Sequence, residues 1–200
     1  MMRAGFVLAC AAVLVACSSP SDQPATSVPA PAAASSPAVA PAVPAAAAQL
    51  ATLARYDGYG DMRFGMDEAA FGQAWGGELK GKPEQGSSCF YKTPKWVKLP
   101  ADFAFMFEGG RFVRYDVGTT KEVAPGPGGG KVGMSEAQIR SLYGDRVVEQ
   151  PQKYVAGAKY LRVAASQGNG VLLFETDAQG KVTRWRVGVP PQVDYVEGCA

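Results

Sequence analysis

Two stretches of the chain share a pattern of apolar and polar positions that is typical of a short amphipathic helix. Residues 63–69 read RFGMDEA and residues 131–137 read KVGMSEA, and the alignment continues without a gap. Apolar residues then recur at i, i+3 and i+4 in both copies: Phe71, Ala74 and Trp75, and Ile139, Leu142 and Tyr143. Asp67 or Ser135 before each run, and a glycine after it, suit the ends of a helix. The pattern predicts one short helix at the start of each copy.

Strand-like patterns follow each predicted helix. Residues 107–118 and 174–188 each read as strand, glycine-containing turn and strand, which predicts a β-hairpin. Shorter strand-like runs precede them at 89–92 and 160–164, and the Gly- and Pro-rich residues 123–130 connect the copies. We therefore predict an α+β fold of two tandem repeats, residues 50–122 and 123–200, each a short helical segment packed on an antiparallel β-sheet. Residues 189–199 form a C-terminal strap that returns to the first copy.

The last strand of each hairpin predicts a surface. In the first copy the alternate apolar residues should cover the helix, which leaves Phe112 and Arg114 on the open sheet face. The same alternation places Arg184 and Arg186 on that face in the second copy. Arginine beside aromatic residues is typical of protein-binding hot spots. The alternative is a solvated face whose charges serve solubility.

The stretch 90–96, FYKTPKW, is a second candidate contact. Pro94 favours a loop, in which Tyr91 and Trp96 would present aromatic surface to a partner. The alternative is that Trp96 folds back onto the core.

The N-terminal residues predict export. Arg3 precedes an apolar run over residues 4–16, which is shorter than the roughly 20 residues of a membrane-spanning helix and is typical of a signal peptide over residues 1–16. The run ends in LVAC, which resembles the lipobox of bacterial lipoproteins. The resemblance implies lipidation at Cys17, and Ser18 after it implies the outer membrane. The alternative is an ordinary cleaved signal peptide. Residues 17–49 are mostly Ala, Pro, Ser and Val and predict a disordered tether.

Two cysteines remain after Cys10 is assigned to the signal peptide and Cys17 to the lipid. Cys89 and Cys199 are then a single pair in an oxidising compartment, where we expect a disulfide. Two free buried thiols are the alternative.

Charge and residue types argue against several functions. The formal net charge of +2 gives no support for nucleic-acid binding. The chain has no histidine, which removes Ser-His-Asp and Cys-His nucleophiles and the common zinc sites. A carboxylate pair such as Glu108 and Glu175, at equivalent hairpin positions in this alignment, is the remaining catalytic route, and solvated turn carboxylates are its simpler interpretation. We therefore predict no enzyme, no catalytic residue, no metal and no cofactor.

A family resemblance combines these features. The GM(D/S)EA opening, the helix ending in an aromatic residue and glycine, the sheet and the lipobox resemble the SmpA/BamE and β-lactamase-inhibitor-protein (BLIP-like) group over residues 63–188. Tandem copies are more similar to the inhibitor protein, in which two units make a concave sheet that grips another protein. No segment matches an inhibitor loop, and a bridge from Cys89 to Cys199 would link the copies rather than close a loop within each.

We expect a monomeric, periplasm-facing outer-membrane lipoprotein, held at the membrane by its lipid only. The tandem repeat, the tether and the lack of catalytic groups favour binding to a periplasmic or envelope protein, as an inhibitor or immunity-type protein against an envelope hydrolase or toxin. The alternatives are an envelope-assembly or peptidoglycan-associated accessory lipoprotein and a carbohydrate-binding module.

Overall fold

A computed structural model describes residues 53–126 and 129–199. The predicted signal peptide, Cys17 and the tether lie outside the described residues. Within these two ranges, none of the helices has the length and apolar character needed to cross a membrane.

The described residues form a mixed fold of antiparallel strands and few helices. In chain order the elements are β1 (Ala54–Arg55), β2 (Gly58–Tyr59), β3 (Met62–Arg63), α1 (Glu68–Trp75), β4 (Leu79–Lys80), β5 (Cys89–Pro94), β6 (Phe103–Glu108), β7 (Arg111–Val117), α2 (Glu136–Tyr143), β8 (Val147–Pro151), β9 (Lys159–Ala164), β10 (Val171–Thr176) and β11 (Val182–Gly188). Strands β1 to β3 form a small sheet, and the others form one eight-stranded sheet in the order β4-β5-β6-β7-β11-β10-β9-β8. This architecture agrees with the predicted α+β class.

Both predicted helices are present, and their ends are where the capping residues predict them. The Asp67 carboxylate accepts a hydrogen bond from the amide of Ala70, and α1 ends at Gly76 in the left-handed conformation. The second helix begins with a capping box formed by Ser135 and Gln138. Side-chain oxygens at these positions satisfy amides that the first helical turn leaves free.

Similar hydrogen bonds join the segment before each helix to the last strand of the hairpin that follows it. The Gly65 amide donates to the Phe112 carbonyl over 2.8 Å, and the Gly133 amide donates to the Val182 carbonyl over 2.8 Å. In both places the strand's amide donates back to the methionine after the glycine. Strands β7 and β11 then pair antiparallel, with Tyr115 opposite Val187. Each half of the large sheet thus holds one helix in the same way.

The strand register differs from the sequence alignment of the two hairpins. Phe105 lies opposite Tyr115, and Phe174 lies opposite Trp185. Tyr115 and Trp185 are equivalent in the sequence alignment, so their opposite residues, Phe105 and Phe174, should be equivalent too. The alignment instead matched Phe107 with Phe174. The alignment is therefore displaced by two residues in β6 and β10, because turn lengths cannot be assigned from the glycines alone.

Aromatic rings form the core between α1 and the sheet. Phe71 is fully buried, and its ring lies 4.9, 5.0 and 4.8 Å from the rings of Phe105, Phe107 and Phe112. These distances are typical of favourable edge-to-face packing. Ile139 is the fully buried residue of α2.

Phe71→Ala should lower the free energy of unfolding by about 3–5 kcal/mol, because it removes a buried ring and leaves a cavity. Urea titration followed by circular dichroism measures the change. Gln73→Ala on the exposed face of the same helix is the control, with an expected change within about 0.5 kcal/mol. Equal effects of the two substitutions would contradict this account of the core.

Candidate functional site

The strap covers the centre of the sheet face opposite the helices. Cys199 at its end forms a disulfide with Cys89 in β5, with a Cα–Cα distance of 5.3 Å, so the predicted pairing is confirmed. Val193 is fully buried and packs with Tyr160, Val171 and Leu173. Leu172 and Phe174 belong instead to the core under the helices. Since alternate residues of a strand face opposite sides, the strap builds a second, smaller core on the other face.

The prediction that Phe112 lies on the open face is wrong. Its side chain is fully buried beneath α1. The reason is a bulge: Met106 pairs with Arg114 and Phe107 pairs with Phe112, so Val113 has no opposite residue. An extra residue reverses the alternation on one side of it.

The Arg114 side chain lies on the predicted face of the sheet, opposite the helices. It is only 3% exposed, however, so it is not on an open surface. Its Nη2 lies 2.7 Å from the Asp116 carboxylate, and its Nη1 donates to the carbonyls of Gln192 and Tyr195 over 2.9 and 2.8 Å. Burial disfavours the charged guanidinium, but Asp116 outweighs that effect and raises the pKa of Arg114. Arg114 therefore binds the strap as a charged donor.

Arg186 is likewise only 2% exposed. Its Nε donates to the Val193 carbonyl over 2.6 Å, its Nη1 pairs with Glu175, and its guanidinium lies 5.7 Å from the centre of the Tyr160 ring. The prediction of an open arginine surface is wrong for Arg114 and Arg186, because the strap closes over both side chains.

Arg184 remains half-exposed. It lines a recess of about 180 Å³ together with Tyr91, Pro100, Ala101 and strap residues, which we call the Arg184 recess. Within residues 53–126 and 129–199, no carboxylate lies within ion-pair distance of Arg184. Tyr91 is part of β5 rather than of a loop, and its hydroxyl accepts a hydrogen bond from Arg114 over 3.2 Å.

The two carboxylates considered for catalysis are both engaged. Glu108 accepts hydrogen bonds from the Gln192 amide and the Tyr195 hydroxyl, while Glu175 pairs with Arg186. They are not at equivalent hairpin positions, because Glu108 lies opposite Arg111 at the turn and Glu175 lies within its strand. Both hold the strap in place, directly or through an arginine.

Trp96 is the most exposed of the large apolar residues that the structure describes, at 70%. Its ring stacks on Trp75 with a centroid distance of 5.6 Å and an interplanar angle of 22°. Trp75 contacts the buried Phe105 at 5.4 Å. Trp96 is therefore in contact with the core through Trp75, yet its outer surface faces solvent. The sequence analysis offered two alternatives, an exposed Trp96 that contacts a partner and a Trp96 folded back onto the core. The structure combines features of both, since the ring packs on Trp75 and is exposed on its other side.

The loop 95–102, which we call the Trp96 loop, has fixed backbone contacts. The Lys95 amide donates to the Glu78 carbonyl over 3.1 Å, and the Asp102 amide donates to the Leu99 carbonyl over 2.9 Å. Leu99 is 61% exposed in the same loop. The loop thus presents two large apolar side chains from a held backbone. Sequence reasoning missed Leu99, because a single apolar loop residue gives no periodic signal.

An aromatic groove lies beside the Trp96 loop. It has a volume of about 320 Å³ and is lined by Tyr59, Trp75, Trp96 and Phe103, with Lys98, Asp102, Lys121 and Glu122 at its polar positions. The Tyr59 hydroxyl donates to Glu122 over 2.9 Å. Burial, followed by the Glu122 carboxylate, raises the pKa of Tyr59 far above its usual range, so the phenol stays protonated. The residues that line this groove come from distant parts of the chain and form no sequence motif. The groove could therefore not be predicted from the sequence.

Comparison with known proteins gives little further information. The chain matches no protein-family model and no curated protein sequence. Among solved structures it is similar to an extracellular protein containing a SCP domain from Bacillus anthracis str. Ames, at 11% identity and a TM-score of 0.40. The similarity covers 63% of this chain but only 44% of that one. A similarity at this level says nothing about function.

Arg186→Met should lower the free energy of unfolding by about 3 kcal/mol or more, because it leaves the Glu175 carboxylate and the Val193 carbonyl without their donor. Urea titration measures the loss. Adding Glu175→Gln should restore part of it, since no unpaired buried charge then remains. Arg184→Met is the matched control and should change stability by no more than about 0.5 kcal/mol. An Arg186→Met variant as stable as this control would refute the structural role of Arg186.

Proposed function

We propose that this protein is a non-catalytic, periplasm-facing lipoprotein that binds another protein through the Trp96 loop. The proposal depends on one observation: Trp96 is 70% exposed while it stacks on a tryptophan that contacts the core. A large aromatic ring held in one orientation loses little conformational entropy on binding and buries a large area. Tryptophan is accordingly enriched among the residues that dominate protein interfaces.

The surroundings of Trp96 support a protein partner. Leu99 adds a second apolar contact on the same loop. Residues of this loop line both the aromatic groove, at Trp96, and the Arg184 recess, at Pro100 and Ala101. An apolar centre flanked by polar and charged groups is the usual composition of an interface. Of the sequence-predicted contacts, this proposal retains Trp96 and Arg184, with Tyr91 as a wall of the recess.

The proposed class comes from the two halves of the sheet. We infer that they are tandem copies, and the equivalent glycine-to-strand hydrogen bonds before each helix support this. Tandem copies resemble the BLIP-like group, which favours an inhibitor or immunity-type protein against an envelope hydrolase or toxin. In this chain the strap covers the centre of the sheet face, so the proposed contact moves to the neighbouring Trp96 loop. An assembly accessory lipoprotein of the SmpA/BamE type is the alternative.

The proposed location is the outer membrane, with the described domain extended into the periplasm as a monomer. Lipidation at Cys17 would supply the anchor, and several acyl chains on one residue give stable membrane attachment.

Trp96→Ala combined with Leu99→Ser should abolish capture of the partner, because both apolar contacts are removed from the loop. Crosslinking of the full-length lipoprotein in intact cells, followed by mass spectrometry, measures capture. The matched control is Val148→Ser combined with Val155→Ala, two substitutions of exposed apolar residues outside the Trp96 loop, which should leave capture unchanged.

Different outcomes identify the class of partner. A captured hydrolase or toxin supports the inhibitor or immunity class, and captured outer-membrane barrel machinery supports the assembly class. Equal capture by the loop variant and the control variant would reject the Trp96 loop as the contact.

Carbohydrate binding is a second candidate, which the aromatic groove favours. An exposed ring beside carboxylate and ammonium groups can stack on a sugar and hydrogen-bond its hydroxyls. Binding to a glycan array that is lost on Trp96→Ala, without any protein captured in cells, would establish this candidate in place of the first.

A further inference from the structure

The strap is bound to the sheet through groups that any peptide carries. Arg114 donates to the carbonyls of Gln192 and Tyr195, and Arg186 donates to the carbonyl of Val193. Each arginine also keeps a carboxylate partner on the sheet, Asp116 or Glu175. The charges are therefore balanced by the sheet itself, and three further hydrogen bonds of the two arginines go to main-chain oxygens of the strap, while Arg114 also donates to the Tyr91 hydroxyl.

Side chains of the strap add a recognisable pattern. Val193 fills an apolar site formed by Tyr160, Val171 and Leu173, and Asp194 next to it pairs with Arg162. This face thus binds an aliphatic residue followed by an acid, with carbonyls on both sides held by arginines. The strap has one 3-10 turn of its own, Gln192–Asp194. Its contacts with the sheet nevertheless use main-chain carbonyls, one aliphatic and one acidic side chain, which are groups that a bound peptide can offer.

The strap is held covalently at both ends. It leaves β11 after Gly188 and ends in the Cys89–Cys199 disulfide. A segment fixed at both ends has a high effective concentration at its site, which excludes a competing peptide. Reduction would leave the strap attached at one end only and would lower that effective concentration.

We infer that this sheet face is a redox-controlled peptide-binding site, occupied in the oxidised protein by its own strap. Its ligand is a peptide with the chemistry of residues 189–199, an aliphatic residue followed by a carboxylate. A dithiol reduces the bridge: its two thiols become a disulfide, and Cys89 and Cys199 each receive one proton and one electron. The strap then exchanges with the external peptide. This site is separate from the Trp96 loop, and the inference does not depend on the proposed function.

Hydrogen exchange and peptide binding test this inference on the full mature chain, kept free of lipid by Cys17→Ser. The probe is a fluorescent peptide of residues 189–199 carrying Cys199→Ser, and its binding is measured by fluorescence polarisation. In the oxidised protein we expect protected strap amides and no peptide binding. Dithiothreitol should accelerate exchange of the strap amides by about tenfold or more and permit saturable binding, because one covalent attachment is lost.

Two controls make the result specific. A Cys199→Ser variant of the protein should bind the peptide without reductant, and a Val193→Asp peptide should not bind, because a charge cannot fill the apolar site. The inference is overturned if strap exchange is equal with and without reductant, or if amides of β6 and β10 accelerate as much as those of the strap. Failure of the reduced protein to bind the peptide would also overturn it.

Discussion

The antiparallel pairing of β7 with β11 is the interaction on which the rest of this structure depends. Each half of the large sheet has one hairpin and one helix, and this pairing joins them into a single surface. It places Arg186 opposite Asp116, so the ion pairs of the two halves lie side by side. Without this junction there is no common face for the strap to cover. The disulfide then connects the end of the second half to β5 of the first.

Buried charge makes the covering of this face specific. Two guanidinium groups with almost no exposure would be unfavourable in an apolar site, because the loss of hydration exceeds what one carboxylate returns. Here each arginine has a carboxylate partner on the sheet and at least one strap carbonyl as acceptor. Arg114 donates from all three of its nitrogens, and Arg186 also lies over the Tyr160 ring. A purely apolar interface would tolerate sliding of the strap. Directed donors at three carbonyls favour one position, which is the kind of specificity that buried polar groups provide in some proteins.

The strap over the sheet centre determines which surface we propose as the contact with a partner. A resemblance to proteins that grip a partner with an open sheet suggests that face, but the strap already occupies it. The Trp96 loop lies outside the strap, and its apolar side chains remain exposed although the backbone is held. Trp96 is thus both exposed and fixed in orientation by its stacking on Trp75, and the proposed contact uses this combination.

The sequence by itself determined the features that depend on neighbouring residues. The capping residues Asp67 and Ser135 located both helices, and glycine-containing turns located the strands that follow. The Cys89–Cys199 pair followed from elimination. These succeed because capping and turn formation use contacts within a few residues, and because one pair of cysteines permits one pairing.

Only the tertiary structure decided which side chains are exposed. The bulge at Val113 depends on how β6 and β7 pair, so alternation along β7 alone placed Phe112 on the wrong face. The burial of Arg114 and Arg186 depends on the strap, which lies about 80 residues from Arg114 in the chain. Trp75 contacts Trp96 although two strands, β4 and β5, lie between them in the chain. Exposure is a property of the assembled surface, because it depends on contacts between segments far apart in sequence that local patterns do not record.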